Sequence, residues 1–185
     1  MPRITLIGYR GTGKSSVAAA LAARLGCPWL DADVVLEEQV GCSIADLVRE
    51  RGEPVFRAEE TRLLESLLDE CPGVLATGGG VVLADRNRAL LRARGRPVVW
   101  LTAPAAVIRA RLAADPTTSS RRPALHGGDP LDEVAAALET REPFYRQCAD
   151  AVFDTASGAV DDIAALIDRW LVGFTAATGR QGGSA

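Results

Sequence analysis

Between an apolar run, Ile4 to Ile7, and an alanine-rich stretch, Ser15 to Leu25, the chain reads Gly8-Tyr9-Arg10-Gly11-Thr12-Gly13-Lys14-Ser15. The octapeptide fits GxxxxGK[ST], and its setting is that of a strand, a tight turn and a helix. This junction commits the start of the chain to a β-turn-α unit whose turn cradles an anion. Glycines let successive N–H groups converge on it, and the positive end of the following helix adds attraction. Gly11, Thr12, Gly13, Lys14, Ser15 and Ser16 are therefore the expected contacts of a nucleoside triphosphate. Lys14 is expected to reach the β- and γ-phosphates, and the Ser15 hydroxyl to ligate Mg2+. A purely structural glycine turn would carry Lys-Ser at this offset only by coincidence.

The remainder continues the same theme. Short apolar runs, Ile4 to Ile7, Trp29 to Asp31, Val74 to Ala76, Val98 to Leu101 and Ala151 to Phe153, alternate with longer amphipathic stretches. That alternation marks βαβ units around a parallel sheet, an α/β fold. Helices are expected over Ser15 to Leu25, Val34 to Gln39, Ser43 to Arg51, Pro54 to Asp69, Arg86 to Arg94, Ala105 to Ala113, Leu131 to Gln147 and Val160 to Val172. Val160, Ile163, Ala164 and Ile167 show the three- and four-residue spacing. Two segments lack it. Ala114 to Pro130, rich in Asp, Pro, Thr, Ser and Gly yet carrying Arg121-Arg122, reads as a mobile excursion; Gly173 to Ala185 reads as a frayed tail.

With 185 residues the chain suffices for one substantial core but is short for two, since a domain takes about 100 to 200 residues. A single domain over 1–172 is expected. The 21 basic and 24 acidic residues leave a formal charge of -3, which gives no electrostatic grip on nucleic acid or on an anionic membrane. Cys27, Cys42, Cys71 and Cys148 form no CxxC pair, and His126 is the one histidine, so no zinc site is expected, whereas reduced thiols in a cytoplasmic protein are. The apolar residues before Tyr9 are too few for a signal-peptide core, and no apolar run reaches membrane-spanning length.

A phosphate loop alone does not distinguish a kinase from a GTPase, a motor or a nucleotide sensor. The guanine-reading N-K-x-D pattern is missing, and the chain is short for a helicase-like motor. What lies opposite the loop must decide. Asp31-Ala32-Asp33 follows the second strand, at the sheet edge where open α/β folds place ligands. On extended backbone a spacing of two sends both carboxylates the same way. One can support a magnesium shell while the other accepts an acceptor hydroxyl's proton; helix capping would account for one of them but hardly both. Arg57 and Glu60 stand three apart in the helix expected over Pro54 to Asp69, the spacing of an ordinary ion pair. Thr77-Gly78-Gly79-Gly80 ends the third strand in more glycine than a turn needs, as expected where backbone approaches a ligand closely.

These blocks, in this order, resemble the shikimate kinase family. The likeness runs from Ile4 to about Asp154 and includes the phosphate loop, Asp31-x-Asp33, Ser43-Ile-Ala-Asp-Leu47, Phe56-Arg57-x-x-Glu60, Thr77-Gly78-Gly79-Gly80, Arg122-Pro123 and Arg141-x-Pro-x-Tyr145. The resemblance implies a P-loop NTPase-like three-layer sandwich on a five-stranded parallel sheet, similar to nucleoside monophosphate kinases, with an acceptor-binding region at 33–62 and a lid at 113–130. It implies ATP and shikimate as substrates, Mg2+ as cofactor and a monomer. Asp33 would hold the acceptor hydroxyls and serve as base, Arg57 and Arg141 would grip the carboxylate, and Glu60 would orient Arg57. Gly78, Gly79 and Gly80 would supply backbone donors, Arg122 would come from the lid to the ATP and the moving phosphoryl group, and Asp31 would join Ser15 in the magnesium environment. The chemistry agrees: a small ring with one carboxylate and several hydroxyls needs an arginine fork and hydroxyl acceptors.

The chain departs from the family pattern in places. Ala124-Leu125 follows Arg122-Pro123 where two leucines are usual, Asp115 to Ser120 is long and Ser/Thr-rich, and Val48 stands where an aromatic often lines the acceptor pocket. Either Arg109 or Arg111 would stack on adenine. The rival readings are a gluconate or nucleoside monophosphate kinase, against which the Asp33, Arg57 and triple-glycine set argues, and a nucleotide-binding module without turnover.

Overall fold

A computed structural model describes residues 1–114 and 133–179. Strands β1 (Ile4–Ile7), β2 (Trp29–Asp31), β3 (Val74–Ala76), β4 (Val98–Thr102) and β5 (Ala151–Asp154) form one sheet in the order β2-β3-β1-β4-β5. Every neighbouring pair is parallel, with Ile4 opposite Val74 and Thr5 opposite Val98 across β1. The five expected strands all form.

Alternation along the strands divides the core in two. Ile4 and Leu6 of β1, Val74 and Ala76 of β3 and Val99 and Leu101 of β4 face α1 (Lys14–Leu25) and the C-terminal helix α8 (Val160–Thr178), through Val17, Leu21, Ile163 and Ile167. Ile7, Leu75, Val98 and Trp100 face the other way, against α4 (Glu53–Glu70), α5 (Asp85–Arg94) and α7 (Glu133–Cys148). Because both faces are covered, the strands read as continuous apolar runs rather than alternating ones. The short helices α2 (Ala32–Val40) and α3 (Ile44–Arg51) add Leu36, Ile44 and Leu47 to this second face. A smaller cluster gathers Tyr9, Ile108 and Leu112 of α6 (Ala105–Ala114), and Val134 under the phosphate loop.

Since β1 connects to β2 across β3, and β3 to β4 across β1, the carboxyl ends of β1 and β3 border the point where connections part to either side. Open α/β sheets bind their ligands in that crevice. The phosphate loop leaves β1, Asp31 ends β2, and the triple glycine leaves β3, all at this edge.

Some boundaries differ from the sequence reading. Ser43, read as helical, caps α3 by accepting the Asp46 N–H at 3.1 Å. A short 3-10 turn, Val81–Leu83, follows the triple glycine and was not foreseen. The C-terminal helix does not end at Val172; residues 173–178, assigned to a frayed tail, are helical. Phe174 holds them, its ring 5.0 Å from Trp170 and beneath the Arg96 guanidinium. The helix stops at Gly179 in the left-handed conformation, a common helix terminator. Small residues were mistaken for disorder there, although Ala is the strongest helix former. Of the expected lid, Ala113 and Ala114 end α6; the rest lies outside the described residues.

A chain ended after Val172 is expected to lose about 1–2 kcal/mol of stability relative to one ended after Gly179, from the apolar contact of Phe174. Urea unfolding of the two truncations checks this, and equal midpoints would show that residues 173–178 contribute nothing.

Candidate active site

The phosphate loop is drawn tight by its own side chains. Gly13 adopts φ 85°, the left-handed region, as it hands the chain to α1. Thr12 Oγ1 donates to the Tyr9 carbonyl at 2.7 Å, and the buried Lys14 Nζ donates to the same oxygen at 3.0 Å. Lys14 is thus folded over the loop's concave side. Ser15 and Ser16 open the exposed face of α1, and the Ser15 hydroxyl donates to Asp31 Oδ2 across the gap to β2. Asp31 Oδ1 accepts the Asp33 N–H at 2.9 Å, so this carboxylate both caps α2 and touches Ser15.

The far side of the loop is braced by residues that the sequence reading left without this role. Thr155, just past β5, places its buried Oγ1 3.0 Å from the Thr12 carbonyl. Arg111 of α6 donates to Thr155 Oγ1 at 3.1 Å and to the Gly11 carbonyl at 3.4 Å. Of the two arginines proposed for adenine, Arg111 therefore stands at the loop, while Arg109 is exposed.

The side chains opposite the phosphate loop converge on the three glycines. A methyl group on Gly78 would lie 2.7 Å from Asp33 Oδ1 and 2.8 Å from Glu60 Oε1. On Gly79 it would lie 2.9 Å from the Arg10 amide nitrogen, and on Gly80 2.3 Å from Arg57 Nη1. The turn thus touches Asp33, Glu60, Arg57 and the phosphate loop at once. Arg57 is held by two acids: Nη1 donates to Glu60 Oε2 at 2.8 Å, and Nε and Nη2 donate to Glu53 Oε1 at 3.2 and 3.0 Å. Burial is the largest single influence on the guanidinium and opposes its charge, but Glu60 and Glu53 together outweigh it and hold Arg57 above its ordinary value. Arg141 of α7 reaches the Gly79 carbonyl with Nη1 at 3.4 Å and lies over the Tyr9 ring, 5.1 Å from its centre.

Asp33, Arg57, Glu60, Gly78, Gly79, Gly80 and Arg141 thus gather beside Gly11 to Ser15 and Asp31; Arg122 lies outside the described residues. Glu53, Thr155 and Arg111 as a loop brace were missed. Glu53 four residues before Arg57 is an i,i+4 ion-pair spacing that could have been read; the contacts to Thr155 span the whole fold and leave no local trace. Among the described residues no group of three or more His, Cys, Asp and Glu is arranged to hold a metal. The Ser15–Asp31 pair is a two-oxygen, hard donor set, which suits Mg2+, an ion that keeps water and phosphate oxygens for the rest of its shell.

A phosphate-binding loop facing a carboxylate, an arginine pair and a glycine turn defines a P-loop phosphotransferase acting on a small molecule. Comparison with known proteins narrows this. The family model for shikimate kinase matches residues 10–171. The chain is 45% identical over 159 residues to shikimate kinase of Oleidesulfovibrio alaskensis, covering 86% of this chain and 91% of that protein. It is 44% identical over 168 residues to that of Nitratidesulfovibrio vulgaris, covering 89% and 95%. A solved structure, shikimate kinase from Acinetobacter baumannii in complex with shikimate, superposes with a TM-score of 0.85 at 34% identity, covering 92% of this chain and 93% of that one. A gluconokinase from Sinorhizobium meliloti, at 18% identity and a TM-score of 0.59, covering 95% and 94%, shares the fold alone. The chain belongs to the shikimate kinase family.

Gly80→Ala is expected to fold, because the atoms its methyl meets belong to the movable end of Arg57. Displacing that guanidinium should raise KM for the acceptor by about tenfold, the scale of one charge-assisted contact, with KM for ATP unchanged. Steady-state kinetics with each substrate varied in turn checks this; an unaltered acceptor KM would separate Gly80 from Arg57.

Proposed function

We infer that this chain transfers the γ-phosphoryl group of ATP to the 3-hydroxyl of shikimate, giving ADP and shikimate 3-phosphate, a step of chorismate and aromatic amino acid biosynthesis. One observation carries the reading: the glycine turn that touches the phosphate loop at Arg10 also touches Asp33 and Arg57. A hydroxyl acceptor, an anion grip and a triphosphate cradle therefore share one crevice.

The acceptor lies with its carboxylate between Arg57 and Arg141 and its hydroxyl toward Asp33. Asp33 takes the hydroxyl proton as the oxygen attacks the γ-phosphorus. The bond from that phosphorus to the bridging oxygen breaks, and the electron pair leaves on ADP. Lys14 follows the charge that builds on the γ-oxygens and on the leaving oxygen. Gly78, Gly79 and Gly80 offer backbone to the ring hydroxyls, while Glu60 keeps Arg57 in place. Ser15 and Asp31, the latter directly or through water, are the residues that would hold Mg2+, which neutralises phosphate charge when bound. Ser16 joins the phosphate contacts, and Arg122 is assigned to the transferring group by its motif.

All residues invoked come from one chain, so a monomer suffices. Cys27, Cys42, Cys71 and Cys148 are free thiols and no helix among the described residues is long and apolar enough to cross a membrane. We place the reaction in the cytoplasm.

Shikimate with Mg-ATP is expected to give rapid ADP formation in a coupled assay. Turnover with gluconate or a nucleoside monophosphate alone would sink the assignment, and ATP binding without any turnover would favour a nucleotide sensor. Asp33→Asn should retain ATP binding while kcat falls by about 100-fold or more, the contribution of a positioned base; near-normal kcat would remove Asp33 from proton transfer. Arg141→Ala should raise the acceptor KM by about 10- to 100-fold, since a charged hydrogen bond is lost. An unchanged KM would count against the proposed grip.

A further inference from the structure

Tyr145 is nearly fully buried on α7, its ring stacked on Trp100 of β4 with centroids 5.6 Å apart and planes 15° from parallel. Packing alone would be served by phenylalanine. The hydroxyl, however, donates to the Gly79 carbonyl at 2.6 Å. Arg141, one helical turn earlier, reaches the same carbonyl only at 3.4 Å. Burial, the largest influence on the phenol, pushes it above its ordinary value, so the group remains a neutral donor.

We propose that Tyr145 is a positioning residue for the acceptor: by satisfying the Gly79 carbonyl, it leaves Arg141 available to the acceptor's carboxylate. This rests on the role proposed above for Arg141. A buried carbonyl requires a donor. Two are within reach, one a neutral hydroxyl at short range and the other the cation needed by the ligand. With the hydroxyl in place, the guanidinium has a long contact to that carbonyl, the neutral face of Tyr9 and a hydrogen-bonding contact with the Tyr145 hydroxyl itself, all uncharged partners that an anion can displace. Without it, Arg141 becomes the carbonyl's donor, and the incoming carboxylate must compete with backbone for the same N–H groups. The tyrosine thereby sets how much of the arginine's hydrogen bonding the ligand receives. The effect should fall on acceptor affinity rather than on ATP or on the chemical step.

The test is a double-mutant cycle on Tyr145→Phe and Arg141→Ala, read as KM for shikimate, KM for ATP and kcat, with urea unfolding to verify the folded state. Y145F is expected to raise the shikimate KM about tenfold while the ATP KM stays within about twofold. Added to R141A, it should change the shikimate KM by less than about twofold, because residues acting through one another are not additive. A wild-type shikimate KM in folded Y145F, an equal rise in both KM values, or full additivity with R141A overturns the proposal. Should Y145F fail to accumulate folded, p-aminophenylalanine at 145 keeps the ring and a weaker donor. An intermediate rise of about threefold is then expected, and no rise overturns the proposal equally. If the wild-type enzyme does not phosphorylate shikimate, the functional reading itself falls, a result distinct from any of these.

Discussion

A methyl group on Gly79 would stand 2.9 Å from the amide nitrogen of Arg10, closer than real side-chain carbons approach. That one contact joins the loop leaving β1 to the turn leaving β3. The same turn meets Asp33 and Glu60 at Gly78 and Arg57 at Gly80. Three consecutive side-chain-free residues therefore set the separation between the phosphate cradle and Asp33, Glu60 and Arg57. A Cβ on Gly79 would push the turn away from the phosphate loop, while one on Gly78 or Gly80 would displace the Asp33, Glu60 or Arg57 side chain. In phosphoryl transfer, where the protein contributes positioning and charge more than covalent chemistry, this spacing matters most.

The parallel sheet makes the contact possible. Adjacent parallel strands bring their carboxyl ends to the same edge, and β1 beside β3 brings two glycine-rich exits together. β2 at the end of the sheet adds Asp31 and, one residue into α2, Asp33. On the opposite flank the end of β5 contributes Thr155 as a strut against the Thr12 carbonyl. The buried strand residues Ile4, Leu6, Val74, Leu75 and Val98 keep this edge rigid, since close-packed cores yield little.

Much of this arrangement was legible because it is carried by local chemistry. Buried parallel strands read as apolar runs, and the phosphate loop must lie between a strand and a helix, so β1, α1 and their junction were placed by residue type alone. The spacing of Asp31 and Asp33 reads as extended backbone sending both carboxylates one way, but only Asp31 is extended; Asp33 lies in the first turn of α2, which Asp31 caps while also reaching Ser15. The contacts of Tyr145 with Gly79 and of Thr155 with Thr12 join residues 66 and 143 positions apart. No periodicity or propensity encodes such pairs; they exist only once the sheet order is known. The end of α8 was missed for another reason. Polarity and small size describe a tail and a helix equally well, and Phe174 decides only through its partner Trp170.

In the proposed function, charge around Arg57 gives a reason for a second arginine. Glu53 accepts from Nε and Nη2, and Glu60 from Nη1, so three of the five guanidinium N–H groups serve the protein. One N–H on each terminal nitrogen is left beyond these pairs, enough to orient a carboxylate. The charge, however, is already exceeded: one cation faces two carboxylates, and a third would leave the cluster at two net negative charges. At such a site geometry can be supplied by Arg57, but attraction cannot. In the proposed reading Arg141 would supply it, because the partners described for it, the Gly79 carbonyl, the Tyr9 ring and the Tyr145 hydroxyl, are uncharged. On the proposed function the two arginines would divide the work: Arg57, pinned by Glu53 and Glu60, would fix where the anion sits, and Arg141 would make its arrival favourable.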